Sequence, residues 1–533
     1  MPLRESEKLM ASYLLRRLGL SLLILLAASF LVYQLIAISG DPLAEFRDSN
    51  KPNKAQLMQQ RTALLNLNVP APARYFIWLT GVVKCVVPGK CDLGKAITGQ
   101  PVTQALGSAI PSTLQLVTAA ELLAVVIGII IGILTALRQY SGFDYTVTFV
   151  TFLFFSLPSF WVAVLLKQFG AIKFNTFLGD PTIGGKALLI IAVVGGLLCS
   201  VLVGGGWLKR WIDGPGTAGW RWLITFAVGG LVTFGIFYYL SVSQWFAYPG
   251  LGPVLLVVFG VVIAVGATVL FAGLQNRRAL FSTLATVVLG VVAMYALKPL
   301  FDRTSFNLGM VALLGIAAVA AGVLVGFLMG GYDRRQSMKA AALTSFLVAG
   351  LVLLDRFMIA WPDYAKAANG RPIGTIGSSS PTITNASFWI TNLDKFSHLV
   401  LPTIALLLIS LASYTRYSRA SMLEVMGQDY VRTARAKGLS ERVVVTRHAF
   451  RNALIPLATV VAFDIGQLLG GAVITENVFS IKGMGQMFVQ GLQRQDPNPV
   501  MGFFLVVGIS AVTFNLLADL AYSALDPRVR VTA

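Results

Sequence analysis

Few side chains in this 533-residue sequence are of types that carry out chemistry. It has only two histidines, His398 and His448, and the hydropathy pattern puts them on opposite sides of a membrane, so they cannot form a pair. No glycine-rich loop ending in Lys-Ser or Lys-Thr is present, and such a loop is a common way to hold nucleotide phosphates. We therefore expect no catalytic residues, no metal site and no cofactor bound by this chain.

Three carboxylates, those of Glu121, Asp464 and Asp519, fall within apolar runs. A carboxylate inside a membrane is costly and often marks a transport path or a proton relay. These three lie on three different predicted helices, whereas a secondary transporter is expected to cluster them. For Glu121 two interpretations stand equal: it lines a path, or it sits near the outer surface of the membrane.

Two cysteines, Cys85 and Cys91, flank a Pro88-Gly89 turn. The turn brings its flanking residues back together, and the segment is predicted to lie on the oxidising side of the membrane. A small disulfide loop is therefore expected, with two free thiols as the alternative. The stretch offers too few ligands for a metal ion.

The most polar stretch of the sequence runs from Asp429 to Pro456 and is rich in arginine and lysine. A loop this basic beside apolar runs is typical of the cytoplasmic side. Its composition predicts a helix over Glu424–Lys437, which Gly438 would end as a C′ glycine. Spacings of three to four residues give this helix one apolar face, made of Leu423, Met426, Tyr430 and Ala434. Such a face needs a groove to pack in, and one on a cytosolic partner would serve.

This segment resembles the coupling loop of bacterial ABC-importer permeases, in the version of the dipeptide, oligopeptide and nickel permease family. The resemblance assigns coupling to an ATPase subunit to Tyr430, Arg432, Thr433, Ala434, Arg435, Ala436, Lys437, Gly438 and Leu439. Arg432 and Thr433 stand where the general importer pattern has Glu and Ala, and the peptide branch is expected to share this departure. The alternative is a solvated loop that is basic only because of its position, with its arginines on lipid headgroups.

Composition places the rest of the chain in a membrane, because 56% of residues are hydrophobic and only 12% are charged. The net charge of +19 comes from Lys and Arg in short loops beside apolar runs. The positive-inside rule and contact with anionic lipid explain that pattern better than nucleic acid does. The first apolar run follows a charged start and is interpreted as a retained helix. Both termini are predicted to be cytoplasmic, in a multi-pass protein of the cell membrane.

The N-terminal part, residues 1–170, resembles the first half of the family's six-helix core. Its helices are predicted at Tyr13–Ile38, Ser112–Leu137 and Thr146–Phe169, with an extracytoplasmic segment, 41–110, where a substrate-binding protein is expected to dock. Gly128, Gly132 and Ala136 have the small-residue spacing that permits close helix packing. Pro158 and Trp161 lie in a family-like motif, where a proline kink either lines the transport path or serves packing alone.

The resemblance resumes at 396–533, with a coupling loop at 424–456 and helices predicted at Leu399–Ser413, Ile455–Ile474 and Val500–Ala524. Glu476, Phe479 and Gly483 match a short gate-like extracytoplasmic segment of the family. Between the two halves, residues 171–395 hold an inserted bundle and a linker. Its six apolar runs are Ala187–Leu208, Trp222–Val242, Val254–Gly273, Leu280–Leu297, Leu308–Gly330 and Ala340–Trp361. Basic residues fall in every second loop of the insert, with Lys298 and an Asp302–Arg303 pair as an exception in one intervening loop. The even number of inserted spans keeps the orientation of the core.

The expected fold is thus an all-α polytopic membrane protein of about twelve spans, in which a roughly six-helix insertion separates core helices 3 and 4. Because the insert carries almost no charge within its spans, it is interpreted as a scaffold or a partner-docking bundle, with a second transport path or lipid binding as the alternative.

The resemblance implies a permease subunit of an ATP-driven importer of short peptides rather than an enzyme. It also implies a second homologous permease, two ATPase domains that bind ATP and Mg, a binding protein, a peptide substrate and surrounding membrane lipid. The alternatives are a secondary transporter and a membrane scaffold or assembly protein without an ATPase partner.

Overall fold

The computed structural model describes residues 3–47, 52–202, 218–303, 306–384 and 386–525. Within these ranges the backbone forms helices, turns and one isolated bridge between Lys95 and Pro101, and no strand is found. The predicted all-α class is therefore confirmed.

Eight helices and one π-helical turn make up the N-terminal part. They are α1 (Leu3–Ser39), α2 (Ala44–Arg47), α3 (Lys54–Leu64), α4 (Ala71–Lys84), α5 (Val102–Leu137), α6 (Gly142–Ser156), α7 (Ser159–Leu165), the π turn (Leu166–Lys173) and α8 (Phe174–Gly179). Helix α5 begins well before the predicted start at Ser112, because Pro111 lies inside it without ending it. The segment between α1 and α5 is correspondingly shorter than predicted.

The predicted third helix, Thr146–Phe169, is not one helix. It breaks after α6, whose axis makes an angle of 102° with that of the following stretch, Ser159–Gly179. Leu157 is extended, with φ −79° and ψ 131°, because the ring of a following proline disfavours helical backbone. Pro158 then precedes α7 as its N-cap residue. The element is a broken span or a re-entrant loop, which is a larger distortion than the predicted kink.

All six apolar runs of the insert form helices within the described ranges. The elements are α9 (Gly185–Leu202), α10 (Ala218–Val242), α11 (Gly252–Phe271), α12 (Arg277–Ala296), α13 (Lys298–Phe301), α14 (Leu308–Met329), a 3-10 turn (Gly331–Asp333), α15 (Arg334–Ile359) and α16 (Trp361–Ala367). Helices α9 and α10 pack as a hairpin, and α11, α12, α14 and α15 pack together as a four-helix bundle. The end of the run Ala187–Leu208 lies outside the described residues.

Two charged residues near the end of α15 hold the insert together. The buried Asp355 carboxylate accepts hydrogen bonds from the backbone N–H groups of Leu251 and Gly252, at 2.8 and 3.1 Å, where α11 begins. Its neighbour Arg356 forms an ion pair with Asp302. Adjacent residues of a helix face different ways, so each charge meets a different part of the bundle. Both contacts join separate elements of the insert.

The C-terminal part contains α17 (Phe388–Met426), α18 (Asp429–Ala436), α19 (Glu441–Val443), a second π turn (Val444–Ala449), α20 (Phe450–Gly471), α21 (Val473–Val478), α22 (Met484–Gln493) and α23 (Pro497–Leu525). The predicted helix Leu399–Ser413 is only the middle of α17, which has 39 residues. The linker, predicted to close the segment 171–395, ends at Ser387. Helix α20 begins at Phe450, before the predicted start at Ile455. Pro456 lies inside this helix, and neighbouring helices make such a proline tolerable.

Length and hydropathy identify nine described helices that can cross a membrane, or ten if the bent α6–α8 element is one span. The prediction of about twelve also counted α9, whose apolar part Gly185–Val201 is shorter, and α20, several side chains of which lie outside the described residues that were compared with the criterion. The chain is a multi-pass membrane protein on either count.

The tightest packing of the core joins α5 to α17. A Cβ atom on Gly128 would lie 2.7 Å from the Cβ of Tyr414, and one on Gly132 would lie 2.6 Å from the Cβ of Ser418. No real side chain fits at such distances, so glycine is required at both positions. The predicted role of the small-residue spacing in close helix packing is confirmed.

Candidate functional site

Helix α18 carries most of the residues predicted to meet an ATPase. It is separate from α17, because the backbone turns at Gly427 and Gln428, so the single helix predicted over Glu424–Lys437 is wrong. The buried residues of α18 are Val431 and Ala434, which pack on Val444 of the second π turn. Val425 and Met426, at the end of α17, are partly buried and complete this small cluster.

The apolar face of α18 also differs from the prediction. Tyr430, assigned to that face, is 41% exposed, while Val431 beside it is fully buried. The break after Met426 rotates α18 relative to α17, so residues on its two sides no longer share one face. The chain itself covers the apolar face, and a groove on a partner is not needed for that purpose.

Gly438 ends α18 as predicted. Its φ is +75°, a backbone conformation that residues with a side chain adopt at a cost. The N–H of Gly438 donates to the carbonyl of Arg435 at 2.9 Å, and the N–H of Leu439 donates to that of Ala434 at 3.4 Å. These two bonds form the Schellman arrangement that closes many helix C-termini.

The predicted coupling residues other than Ala434 are all exposed and form an outer, basic face on α18 and the turn after it. They are Tyr430, Arg432, Thr433, Arg435, Ala436, Lys437, Gly438 and Leu439. Arg435 makes two hydrogen bonds to the Glu441 carboxylate, at 2.7 and 3.2 Å, and these lower the pKa of Glu441. Arg432 lies 3.6 Å from Asp429 and its side chain is 71% exposed, so it is the freer of the two arginines.

A cleft of about 610 Å³ lies beside α18. It is bounded by the ends of α5 and α17, the second π turn and the Arg435–Glu441 ion pair. Its lining residues are Ala136, Leu137, Gln139, Leu423, Met426, Arg435, Glu441, Val445 and Thr446. Leu423 and Met426, predicted to face a partner from the helix, instead line this cleft.

The predicted gate residue Glu476 lies at the centre of a hydrogen-bond network. Its buried carboxylate accepts hydrogen bonds from the Thr113 hydroxyl at 2.6 Å and from the backbone N–H groups of Gly485 and Gln486 at 2.7 and 3.1 Å. The two amides belong to the first turn of α22, where a negative charge is favourable. Gly483 has to be glycine, because a Cβ there would lie 2.4 Å from the carboxyl carbon of Glu476. The network ties α5, α21 and α22 together.

Phe479, the next gate residue, is buried and marks where the bent element meets α21. The Lys167 ammonium donates to the Val478 carbonyl at 2.6 Å and lies 5.9 Å from the centre of the Phe479 ring. Trp161 on α7 is 52% exposed, and α7 packs on α21. Sequence reasoning missed Lys167 and Thr113; a lysine within an apolar run was the available signal for the first, and no signal marked the second.

Glu121 and Asp464 are not scattered, contrary to the prediction. The Tyr414 hydroxyl of α17 donates to Glu121, which is 4% exposed, and Asp464 of α20 lies near the same hydroxyl. Three helices therefore bring two carboxylates to one tyrosine. Glu121 is buried inside the protein, and the side chain of Asp519 is outside the described residues.

The cysteines Cys85 and Cys91 are joined by a disulfide after α4, around the Pro88-Gly89 turn. No group of three or more His, Cys, Asp or Glu side chains that could hold a metal ion occurs among the described residues.

Comparison with known proteins gives one consistent result. Residues 369–531, which include α17, α18 and Glu476, match the family described as binding-protein-dependent transport system inner membrane component. The oligopeptide transport system permease protein OppB of Mycobacterium tuberculosis (strain ATCC 25618 / H37Rv) is 35% identical over 240 residues, which cover 43% of this chain and 71% of OppB. The chain belongs to this permease family. The dipeptide permease DppB of Escherichia coli K12 is also 35% identical, over 44% of the permease described here and 72% of its own length.

Proposed function

We propose that this permease is the membrane subunit of an ATP-driven importer of short peptides, and that α18 receives the movement of an ATPase subunit. The relatives are named for oligopeptide and dipeptide transport, which supports the substrate class. The observation that carries the coupling role is the two-sided character of α18. Its outer face is basic and exposed, while its inner face is packed on the ends of two long helices.

That packing gives a mechanical route into the membrane. A push on α18 reaches α17 through Val425 and Met426, and it reaches α20 through Val444 in the turn that precedes that helix. Helix α17 is packed along α5, and α5 carries Thr113 of the Glu476 network. Closure of the ATPase would thus move the core helices between inward- and outward-facing states.

The proposed assembly contains a second homologous permease, two ATPase domains and a substrate-binding protein on the outer side of the cell membrane. ATP and Mg bind to the ATPase domains, and α18 and both chain termini lie in the cytoplasm. Residues 171–395 are an insertion between two core halves, 1–170 and 396–533. The alignments to relatives support this division, because each covers less than half of this chain but more than two thirds of the relative.

The test is purification of the tagged chain from its native membrane in mild detergent, with co-purifying proteins identified by mass spectrometry. We expect an ATPase and a second permease in near-stoichiometric amounts. A chain that purifies alone, and whose transport is insensitive to ATP depletion, would contradict the proposal.

One observation favours a second candidate, a secondary transporter. Glu121, Tyr414 and Asp464 form the kind of intramembrane group that carries protons in such proteins. A protonophore added at constant ATP separates the two functions. An ATP-driven importer keeps its uptake, whereas a proton-coupled transporter loses it.

A further inference from the structure

The insert meets the core at an aromatic junction around Trp389, near the start of α17. Its indole N–H donates to the Phe301 carbonyl at 2.9 Å, and its ring packs on those of Phe301, Phe306, Phe357 and Phe388. The Arg356 guanidinium lies 5.6 Å from the centre of the same ring. These contacts fix α17 firmly to the four-helix bundle.

Beside this junction lies a cavity of about 500 Å³, within the size range of small-ligand sites. Helix α8 and the first turns of α17 form one wall, and α15, α16 and the turn after α10 form the other. Its lining residues are Phe174, Leu178, Trp245, Phe246, Pro249, Leu354, Phe357, Met358, Trp361, Asn392, Leu393 and Phe396.

The cavity is lined by apolar side chains and has almost no free hydrogen-bond donors or acceptors. The indole N–H of Trp245 donates to the Gly250 carbonyl at 3.0 Å, and the amide of Asn392 donates to the Phe388 carbonyl at 2.7 Å. Water is not stable in an apolar cavity because it needs two or more polar partners. The occupant that fits this lining is therefore an unbranched or aromatic hydrocarbon without polar groups.

The cavity opens sideways, since two of its lining residues also reach the outer surface. Leu354 is 45% exposed and Phe396 is 63% exposed. Because α15 and α17 both meet the length and hydropathy criterion for membrane spans, we infer that these two residues face the bilayer. A helix about 10 Å wide is too large for this space, whereas a single flexible chain is not.

We propose that one acyl chain of a membrane phospholipid occupies the cavity lined by Leu354, Leu393 and Phe396 and bridges the insert to the core. The lipid completes the packing between α15 and α16 on one side of the cavity and α8 and α17 on the other. Its headgroup stays at the membrane surface, and only the chain enters the protein.

The test uses the purified full-length chain in nanodiscs that contain a phospholipid with a photoreactive diazirine on one acyl chain. After irradiation, labelled residues are located by mass spectrometry. We expect labelling of residues 392–396 and 354–358 to exceed that of other lipid-facing segments several-fold. Labelling spread evenly over exposed apolar residues would overturn the proposal.

A matched pair of variants tests whether the cavity itself is the site. Leu354→Trp fills its opening and should reduce labelling of residues 392–396 at least threefold. Leu347→Trp lies on the same helix, is 39% exposed and does not line the cavity, so it should leave labelling unchanged. Equal labelling in both variants would contradict the proposal, and Met358→Trp replaces Leu354→Trp if that variant does not fold.

Native mass spectrometry of the detergent-purified chain identifies the occupant directly. We expect one tightly held phospholipid per wild-type chain, which Leu354→Trp releases. A retained quinone or free fatty acid in its place would reject the phospholipid. These measurements do not depend on transport, so their failure leaves the proposed importer function untouched.

Discussion

The core and the insert use buried polar groups in opposite ways. In the core, Glu476 joins α5, α21 and α22, and Tyr414 brings carboxylates from α5 and α20 together. In the insert, Asp355 holds the first turn of one neighbouring helix, and Arg356 pairs with Asp302 at the end of another. In the core, therefore, one hydrogen-bond network joins three helices. In the described part of the insert, each of these charged side chains joins only two elements. We infer that the core moves during transport and that the insert is carried with it.

The largest expected effect follows from Gly438→Asp at the end of α18. Its φ of +75° strains any residue with a side chain, but a Cβ there meets nothing within 4 Å, so the rest of the fold tolerates the change. We expect peptide uptake to fall at least tenfold while membrane insertion stays normal. Gly438→Asn is the control, because asparagine is the residue that replaces glycine at the C′ position of some helices. Normal uptake by the aspartate variant would count heavily against the coupling role.

The second effect tests the tight seam of the core. Gly132→Leu places carbon atoms against Ser418 and the Thr415 carbonyl, and overpacking of this kind costs about 1–3 kcal/mol or more. Gly107→Leu on the same helix is the control, because a Cβ at Gly107 contacts nothing within 4 Å. Thermal unfolding in detergent should show a lower Tm for Gly132→Leu only. Equal Tm values would mean that α5 and α17 pack less closely than described.

The insert should respond differently. Asp355→Ala removes the acceptor of two backbone N–H groups and should cost about 1–3 kcal/mol of stability. Uptake, normalised to the amount of folded protein, should stay within twofold of wild type. In Glu476→Ala the same measurement should show a much larger loss of uptake. A similar loss in both variants would remove the distinction between core and insert.

The smallest effect is a pH dependence at the turn between α22 and α23. Burial raises the pKa of Asp496 to about 6, although it accepts a hydrogen bond from the Ile97 N–H. Because the folded pKa exceeds the unfolded value, its contribution to stability is complete below about pH 4 and is lost as pH rises through about 6. We expect about 1 kcal/mol less stability at pH 7 than at pH 5 from this group. Asp496→Asn should reduce that difference, and an unchanged pH profile would exclude Asp496 as its cause.

Local features of the sequence predicted well what local physics determines. Gly438 ends α18, and Gly128 and Gly132 pack on α17, because a positive φ and a close helix contact each require glycine. The break at Gly427 and Gln428 was not predicted, because the surrounding residues are good helix formers and one glycine is tolerated in many helices. That single error also put Tyr430 on the buried face in place of Val431.

Contacts between distant parts of the chain could not be predicted in this way. Glu121 and Asp464 lie on helices far apart in sequence, and only the packing of α5, α17 and α20 brings them to Tyr414. The pairing of Thr113 with Glu476 depends on the same packing. Residues of the insert were predicted to be helical, but the junction at Trp389 and the cavity beside it arise from the way α17 extends beyond the predicted helix.

The most direct test of the coupling role is photocrosslinking from α18 in native membranes. The photoreactive residue p-benzoylphenylalanine replaces Arg432, whose side chain is 71% exposed. In a control it replaces Tyr332, which is fully exposed in the loop between α14 and α15. The charges of that loop also predict a cytoplasmic position. We expect an ATPase subunit to be crosslinked from position 432 and not from position 332. Failure to trap an ATPase from position 432, with normal expression and uptake, would contradict the assignment of α18 as the coupling element.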